Sequence, residues 1–342
     1  MWGLVGLALL LSGCPKKLPE GARGPAESVE LDVPAEGVTL RGTLTLPERD
    51  RPVPAVILVH GSGPHSRDAP MGGQAYMPLP VTYPIFAQLA EDLQQRGIAV
   101  YRYDKRTCLL MTGCPKNDPA GVMGITIDTF TADAVAAARV VRTQPGVDPE
   151  RVWVVGHSQG GQLVPAIVRD GELAGGVLIA GPYGPIDQVL AAQADRFAAS
   201  VEGSTDAREL GSVAALRGMV KGLQGIREGR LEGMTIGGIH SSFWASWIRA
   251  SDEAPDIADG LTQPLLAING EYDHNVPVSE LDLWEADFAD DPGPRAVLRL
   301  PCVTHALLCV SEPDPEQVAP DDISTWVDPR IAEAIAAQIG AR

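Results

Sequence analysis

The stretch VWVVGHSQGGQL, residues 152–163, runs an apolar, β-branched segment straight into a glycine-rich turn with Ser158 at its centre. Gly156 to Gly160 fits the pattern G-x-S-x-G. The chain holds 37 glycines in 342 residues, so the pattern alone is weak and its surroundings decide what it means. A nucleophilic serine of this kind needs a strand, a sharp turn and a helix in that order. Residues 151–155 are β-branched and aromatic, which suits a buried strand. Residues 159–169 read as a helix that Pro165 weakens or kinks. The flanking glycines relieve crowding where backbone meets backbone in so tight a turn. The plainer alternative, Ser158 as a small turn residue with no chemistry, leaves this coincidence of strand, glycines and helix unexplained.

Outward from that turn, strand and helix signals alternate. Residues 28–33 and 38–46 predict a β-hairpin around Glu36-Gly37. Residues 54–60, PAVILVH, form a continuous apolar run, as in a strand buried on both faces. A helix is predicted over 84–96, with Pro84 at its start and Gly97 at its end. Strands are predicted at 98–104, 175–181, 264–270 and 295–300, and helices at 127–143 and 328–340. This alternation predicts an α/β fold with a mostly parallel, doubly covered sheet. Between 182 and 262 the β signal fades into helical segments rich in Ala, Gly, Arg and Glu. At roughly 80 residues this is too long for one crossover, so an inserted helical cap is expected; ordinary crossover helices with long loops are the alternative. The expected core is then 28–181 with 263–342, and the expected cap is 182–262.

Composition narrows the function. At 45% hydrophobic and 21% charged residues the chain is globular. A net charge of −17 argues against non-specific nucleic-acid binding, which needs a basic footprint. No Cys/His spacing matches a zinc site and there is no H-E-x-x-H, so no metal is expected.

The start of the chain reads as an address, with an uncleaved helix or a spurious N-terminus as the alternative. Residues 1–13, MWGLVGLALLLSG, are apolar, too short to span a bilayer and similar to a signal-peptide core. Leu11-Ser12-Gly13-Cys14 resembles a bacterial lipobox, although no Lys or Arg precedes the apolar run. The resemblance implies cleavage before Cys14, lipidation of Cys14, and a membrane-anchored protein of the bacterial cell envelope. Residues 14–27 then serve as a tether rich in Pro, Gly and charge. Four further cysteines, Cys108, Cys114, Cys302 and Cys309, fall in two local pairs, which suits an oxidising compartment. Three pairings are open, with Cys108–Cys114 and Cys302–Cys309 the local one; four free thiols of a cytosolic enzyme are the alternative.

A serine becomes a useful nucleophile only beside a base, and the base needs an orienting acid. The expected chain order on this kind of sheet is Ser, acid, His. Asp273 lies three residues past Gly270, at the carboxyl end of a predicted strand, and His305 lies five residues past Leu300. Glu271, nearer its strand end, is the alternative acid. His60 reads as a loop-bracing residue and His157 as lining a helix-facing crevice. Asp104 and Arg106 read as a structural ion pair. His240, Phe243, Trp244 and Trp247 form a near-helical stripe, either core of the cap or a substrate-facing wall.

With these residues in place the chain resembles the α/β-hydrolase superfamily from about residue 30 to 340. Within it, HGSGPHSRDAP (60–70), RYDKR (102–106), GHSQGG (156–161) and GEYDHNVP (270–277) are similar to bacterial esterases of the dienelactone-hydrolase-like and acyl-esterase kind. The resemblance implies Ser158 as nucleophile, Asp273 as acid and His305 as general base. It implies an oxyanion hole from the backbone N–H groups of Gln159 and Ser62, no cofactor, and a small-molecule ester as substrate. The chain departs from the related pattern at Arg106-Thr107-Cys108-Leu109, where a glycine-rich turn would follow. A serine peptidase on the same fold, acting on short peptides, is the nearest alternative. A lipoprotein that keeps the fold as a scaffold without catalysis is the more distant one.

Overall fold

The computed structural model describes residues 27–72, 82–110, 114, 123–291, 293–312 and 323–340. The first part of the chain forms β1 (Glu27–Ala35), β2 (Val38–Leu46), β3 (Val53–Val59), the short β4 (Pro70–Met71) and β5 (Tyr83–Pro84), α1 (Ile85–Gln95) and β6 (Ala99–Tyr103). Next come α2 (Ile127–Val141), β7 (Val147–His157), α3 (Gln159–Gly171) and β8 (Gly175–Ile179). Then follow α4 (Ile186–Ser200), α5 (Ala207–Arg227), the two-residue strands β9 (Thr235–Ile236) and β10 (Ile239–His240), and α6 (Ser241–Asp259). The chain ends with β11 (Leu265–Gly270), α7 (Val278–Asp290), β12 (Arg295–Leu300) and α8 (Pro329–Ile339).

Eight strands make one sheet in the order β1-β2-β6-β3-β7-β8-β11-β12. The predicted hairpin sits at its edge, with β1 antiparallel to β2 and β2 antiparallel to β6. From β6 to β12 every neighbouring pair is parallel. Parallel neighbours need crossovers, and the helices supply them on both faces. Alternation along β3 shows the division. Ala55, Ile57 and Val59 pack in one core with α2, α3 and α6, whereas Val56 and Leu58 pack in a second with α1 and α8. Both faces of the central strands are thereby removed from water, which is why their sequences read as unbroken apolar runs.

The helix read after Ser158 is present as α3 and runs through Pro165 to Gly171. Two local readings change. The segment after β8 carries a small β-ribbon, β9–β10, besides its helices. The helix α7, for which no signal was taken from the sequence, packs Leu281, Trp284 and Phe288 into the first core. Among the described residues no helix is long and apolar enough to cross a membrane; residues 1–26, with Cys14, lie outside them.

Candidate active site

The parallel strands present their carboxyl ends along one edge, where open α/β sheets place their ligands. Ser158 follows β7, Asp273 follows β11, His305 follows β12, and the 60–63 loop follows β3. The sequence thus distributes the selected residues over four loops that the sheet order brings together.

Ser158 sits at the turn between β7 and α3 with φ 55° and ψ −118°, a left-handed region that a non-glycine residue adopts only when its surroundings impose it. They do so through several constraints. The Ser158 N–H donates to the Ile179 carbonyl at 2.9 Å, and the Ser158 carbonyl accepts from Gln162 N–H at 3.1 Å. A Cβ at Gly156 would run into the Gly160 carbonyl, and one at Gly160 would run into the Val59 carbonyl. The glycines therefore permit a close approach of β3, β7 and α3 that any side chain would block. Ser158 itself stays partly open while His157 and Gln159 on either side are buried.

His305 and Asp273 meet. His305 Nδ1 donates to Asp273 Oδ2 at 2.7 Å, so that in the neutral imidazole Nε2 is the nitrogen able to accept a proton. The other carboxylate oxygen, Oδ1, accepts from the N–H groups of Asn275 and Val276, both at 2.8 Å. Both oxygens of a buried carboxylate are thus satisfied. Glu271 is exposed, so the bond to His305 falls to Asp273. His305 is carried at the tip of a small hairpin in which Val303 pairs with Cys309 and the Cys302–Cys309 disulfide closes the base, Cα to Cα 4.8 Å. The second local pair, Cys108–Cys114, is also bonded, Cα to Cα 5.6 Å. The local pairing is therefore the one the structure has.

His157, read as lining a crevice, is buried and donates from Nε2 to the His305 backbone carbonyl at 2.9 Å. A carbonyl can only accept, which fixes the His157 tautomer. Burial, with His305 next to it, holds the His157 pKa well below the usual imidazole value. His60 braces its loop as read, donating from Nε2 to the Ser66 carbonyl at 3.1 Å. The Asp104–Arg106 pair does not form. Asp104 pairs with Arg67 at 2.9 Å, and Arg106 reaches Asp133, Nε to Oδ2 at 2.7 Å. β6 ends at Tyr103 and a 3₁₀ turn begins at Arg106, so the two residues do not sit on one strand. Of the aromatic stripe, Phe243, Trp244 and Trp247 are buried, with Trp244 stacked on Trp247 and Phe243 edge-on to both, whereas His240 is exposed and caps α6. The stripe is core. Its Trp247 donates to Gln162 Oε1 at 2.9 Å, tying α6 to the helix behind Ser158.

The 60–63 loop is held by side chains that sequence reading missed. Lys105 Nζ donates to the Gly61 carbonyl at 2.6 Å and to Gln159 Oε1 at 2.9 Å. His65 Nε2 donates to the Ser62 carbonyl at 2.7 Å, and Thr107 Oγ1 to the Gly63 carbonyl at 3.2 Å. A lysine just past a buried strand, at the carboxyl edge of the sheet, was the one available signal. The Gln159 N–H belongs to the first turn of α3 and has no partner within the helix.

Residues 56–333 match the Alpha/beta hydrolase family. Esterase EstD of Thermotoga maritima is 30% identical over 263 residues, which cover 76% of this chain and 56% of that protein. The chain thus spans little more than half the length of this curated relative. Two solved structures share the fold at low identity. The Pyrococcus furiosus esterase Pf2001 aligns with a TM-score of 0.55 at 16% identity, covering 96% of each chain. Est1E from Butyrivibrio proteoclasticus aligns with a TM-score of 0.53 at 15% identity, covering 91% of this chain and 99% of its own. From its fold and from the match over most of its length, the chain belongs to the alpha/beta hydrolase family.

Proposed function

We propose that the protein hydrolyses small-molecule carboxylic esters through an acyl-enzyme on Ser158. The observation that carries this reading is the 2.7 Å bond from His305 Nδ1 to the doubly anchored Asp273, at the same sheet edge as a serine held at positive φ. Ser158 Oγ attacks the acyl carbonyl while His305 Nε2 takes its proton. Asp273 keeps the imidazole in the right tautomer and stabilises its charged form. The negative charge on the carbonyl oxygen falls to the N–H groups of Ser62 and Gln159. Collapse expels the alcohol, protonated by His305, and water activated by the same histidine frees the acid. Esterase EstD, a protein named for ester cleavage and related at 30% identity, supports the choice of ester.

Residues 182–262 act as the cap in this reading. Its helix α4 reaches the acid loop, with Gln193 Nε2 donating to the Asn275 carbonyl at 2.6 Å and Arg196 Nε to the His274 carbonyl at 3.1 Å. The cap is thereby fastened beside the residues that would do the chemistry. The two disulfides fit the oxidising side of a membrane, in keeping with a lipid anchor at Cys14 in the cell envelope.

A fluorophosphonate probe tests the nucleophile independently of substrate. It is expected to add one phosphonyl group to the wild type, on the peptide containing Ser158, and none to Ser158→Ala. Labelling at another serine, or none on folded protein, contradicts the reading.

A further inference from the structure

Lys105 is a buried cation for which the catalytic route above has no use. Its surface is 4% exposed, and its Nζ sits 4.3 Å from the centre of the Phe130 ring. Burial pushes its pKa down to about 7, against the pull of Asp133, whose carboxylate is shared with Arg106. An ammonium so far from water persists only where its donors find acceptors. Here two of those acceptors are the Gly61 carbonyl and the Gln159 side chain.

Peptide geometry gives the first contact its meaning. The carbonyl of Gly61 and the N–H of Ser62 belong to one planar unit and point in opposite directions. Whatever grips the Gly61 oxygen therefore aims the Ser62 N–H. The second contact runs to Gln159, whose backbone N–H is the other expected oxyanion donor. One ammonium thus bridges the two loops that contribute the two donors. A hydrogen bond received by a carbonyl also polarises its peptide unit and strengthens the N–H on the far side.

We propose that Lys105 is a positioning residue of the oxyanion hole: through the Gly61 carbonyl it aims and polarises the Ser62 N–H, and through Gln159 it holds that donor in register with the elbow. This rests on the reading of Ser158 as nucleophile and of Ser62 and Gln159 as oxyanion donors. Thr107 supplies an internal control. It grips the next carbonyl but one, that of Gly63, whose peptide unit ends in Pro64 and has no N–H to aim.

The test compares wild type, Lys105→Met, Thr107→Val and Ser158→Ala on a p-nitrophenyl ester, with inhibition by a trifluoromethyl ketone, which forms a tetrahedral adduct on the serine. Lys105→Met is expected to lower kcat by about 30- to 100-fold, as loss of an oxyanion donor does, with KM changed less than about threefold. Trifluoromethyl-ketone affinity falls by a similar factor. Thr107→Val stays within about threefold of wild type in kcat, since it loosens the loop without freeing a donor. Should Lys105→Met fail to fold, Lys105→Gln carries the same comparison. A folded Lys105 variant with wild-type kcat, or an equal fall in Thr107→Val, overturns this inference alone. Turnover that survives undiminished in Ser158→Ala overturns instead the reading of Ser158 as nucleophile beneath it.

Discussion

At Gly160, absence of a side chain is a requirement. Its would-be Cβ points into the Val59 carbonyl, which is backbone and cannot step aside. Gly160→Ala is expected to destabilise the fold by about 3 kcal/mol, read as a lower denaturant midpoint at an unchanged slope. An unchanged midpoint would mean that the elbow has slack it does not show. Residue identity made Ser158, Asp273 and His305 legible, because each follows a strand signal at a fixed short distance. Lys105 was hidden for the opposite reason. Its partners Gly61 and Gln159 are 44 and 54 positions away, and only the sheet order makes them neighbours. Asp104 and Arg106 misled because two residues apart on a strand share a face, whereas the strand ends at Tyr103.

At the scale of elements, the His305 hairpin carries the general base on a short, strained turn. Its base holds Cys302 at φ 65° and its turn Leu307 at φ 64°, while Ala306, Leu307 and Leu308 pack into the second core and the Leu307 carbonyl accepts from Asp328 N–H at 2.8 Å. The disulfide at its base limits how far the unfolded segment can spread. Cys302→Ser with Cys309→Ser is expected to reduce stability by about 2 kcal/mol. Because the histidine then samples more positions, kcat is expected to fall about tenfold. Thermal unfolding and steady-state rates check both; loss of stability with full kcat would place the disulfide's role in the fold alone. The buried strands were readable throughout, since the double covering of the sheet writes itself as unbroken apolar runs. Helix α7 was not, because Glu280, Asp282, Glu285 and Asp287 interrupt the sequence around the Leu281, Trp284 and Phe288 that it buries.

Across the whole molecule, histidines buried without charge link the fold to pH. His60, His65 and His157 all lie below the ordinary imidazole value near 6.5, chiefly through burial, and His65 is pushed down to about 4. Below 6.5 the unfolded chain binds protons that the folded chain refuses, so stability is full above that pH and falls as acid is added. His65→Gln keeps a donor for the Ser62 carbonyl and removes the titration. The stability of wild type relative to His65→Gln is expected to drop by about 3 kcal/mol between pH 6.5 and 4, followed by urea unfolding at each pH. A constant difference would mean that His65 titrates in the fold as it does in water.

The most direct test of the central claim is hydrolysis of p-nitrophenyl esters from two to sixteen carbons by residues 28–342, produced with disulfides allowed to form, beside Ser158→Ala. The account predicts turnover with one chain-length optimum and a fall of at least about a thousandfold in Ser158→Ala at unchanged folding. Folded protein that turns over none of these esters, or a Ser158→Ala variant as active as wild type, would contradict it.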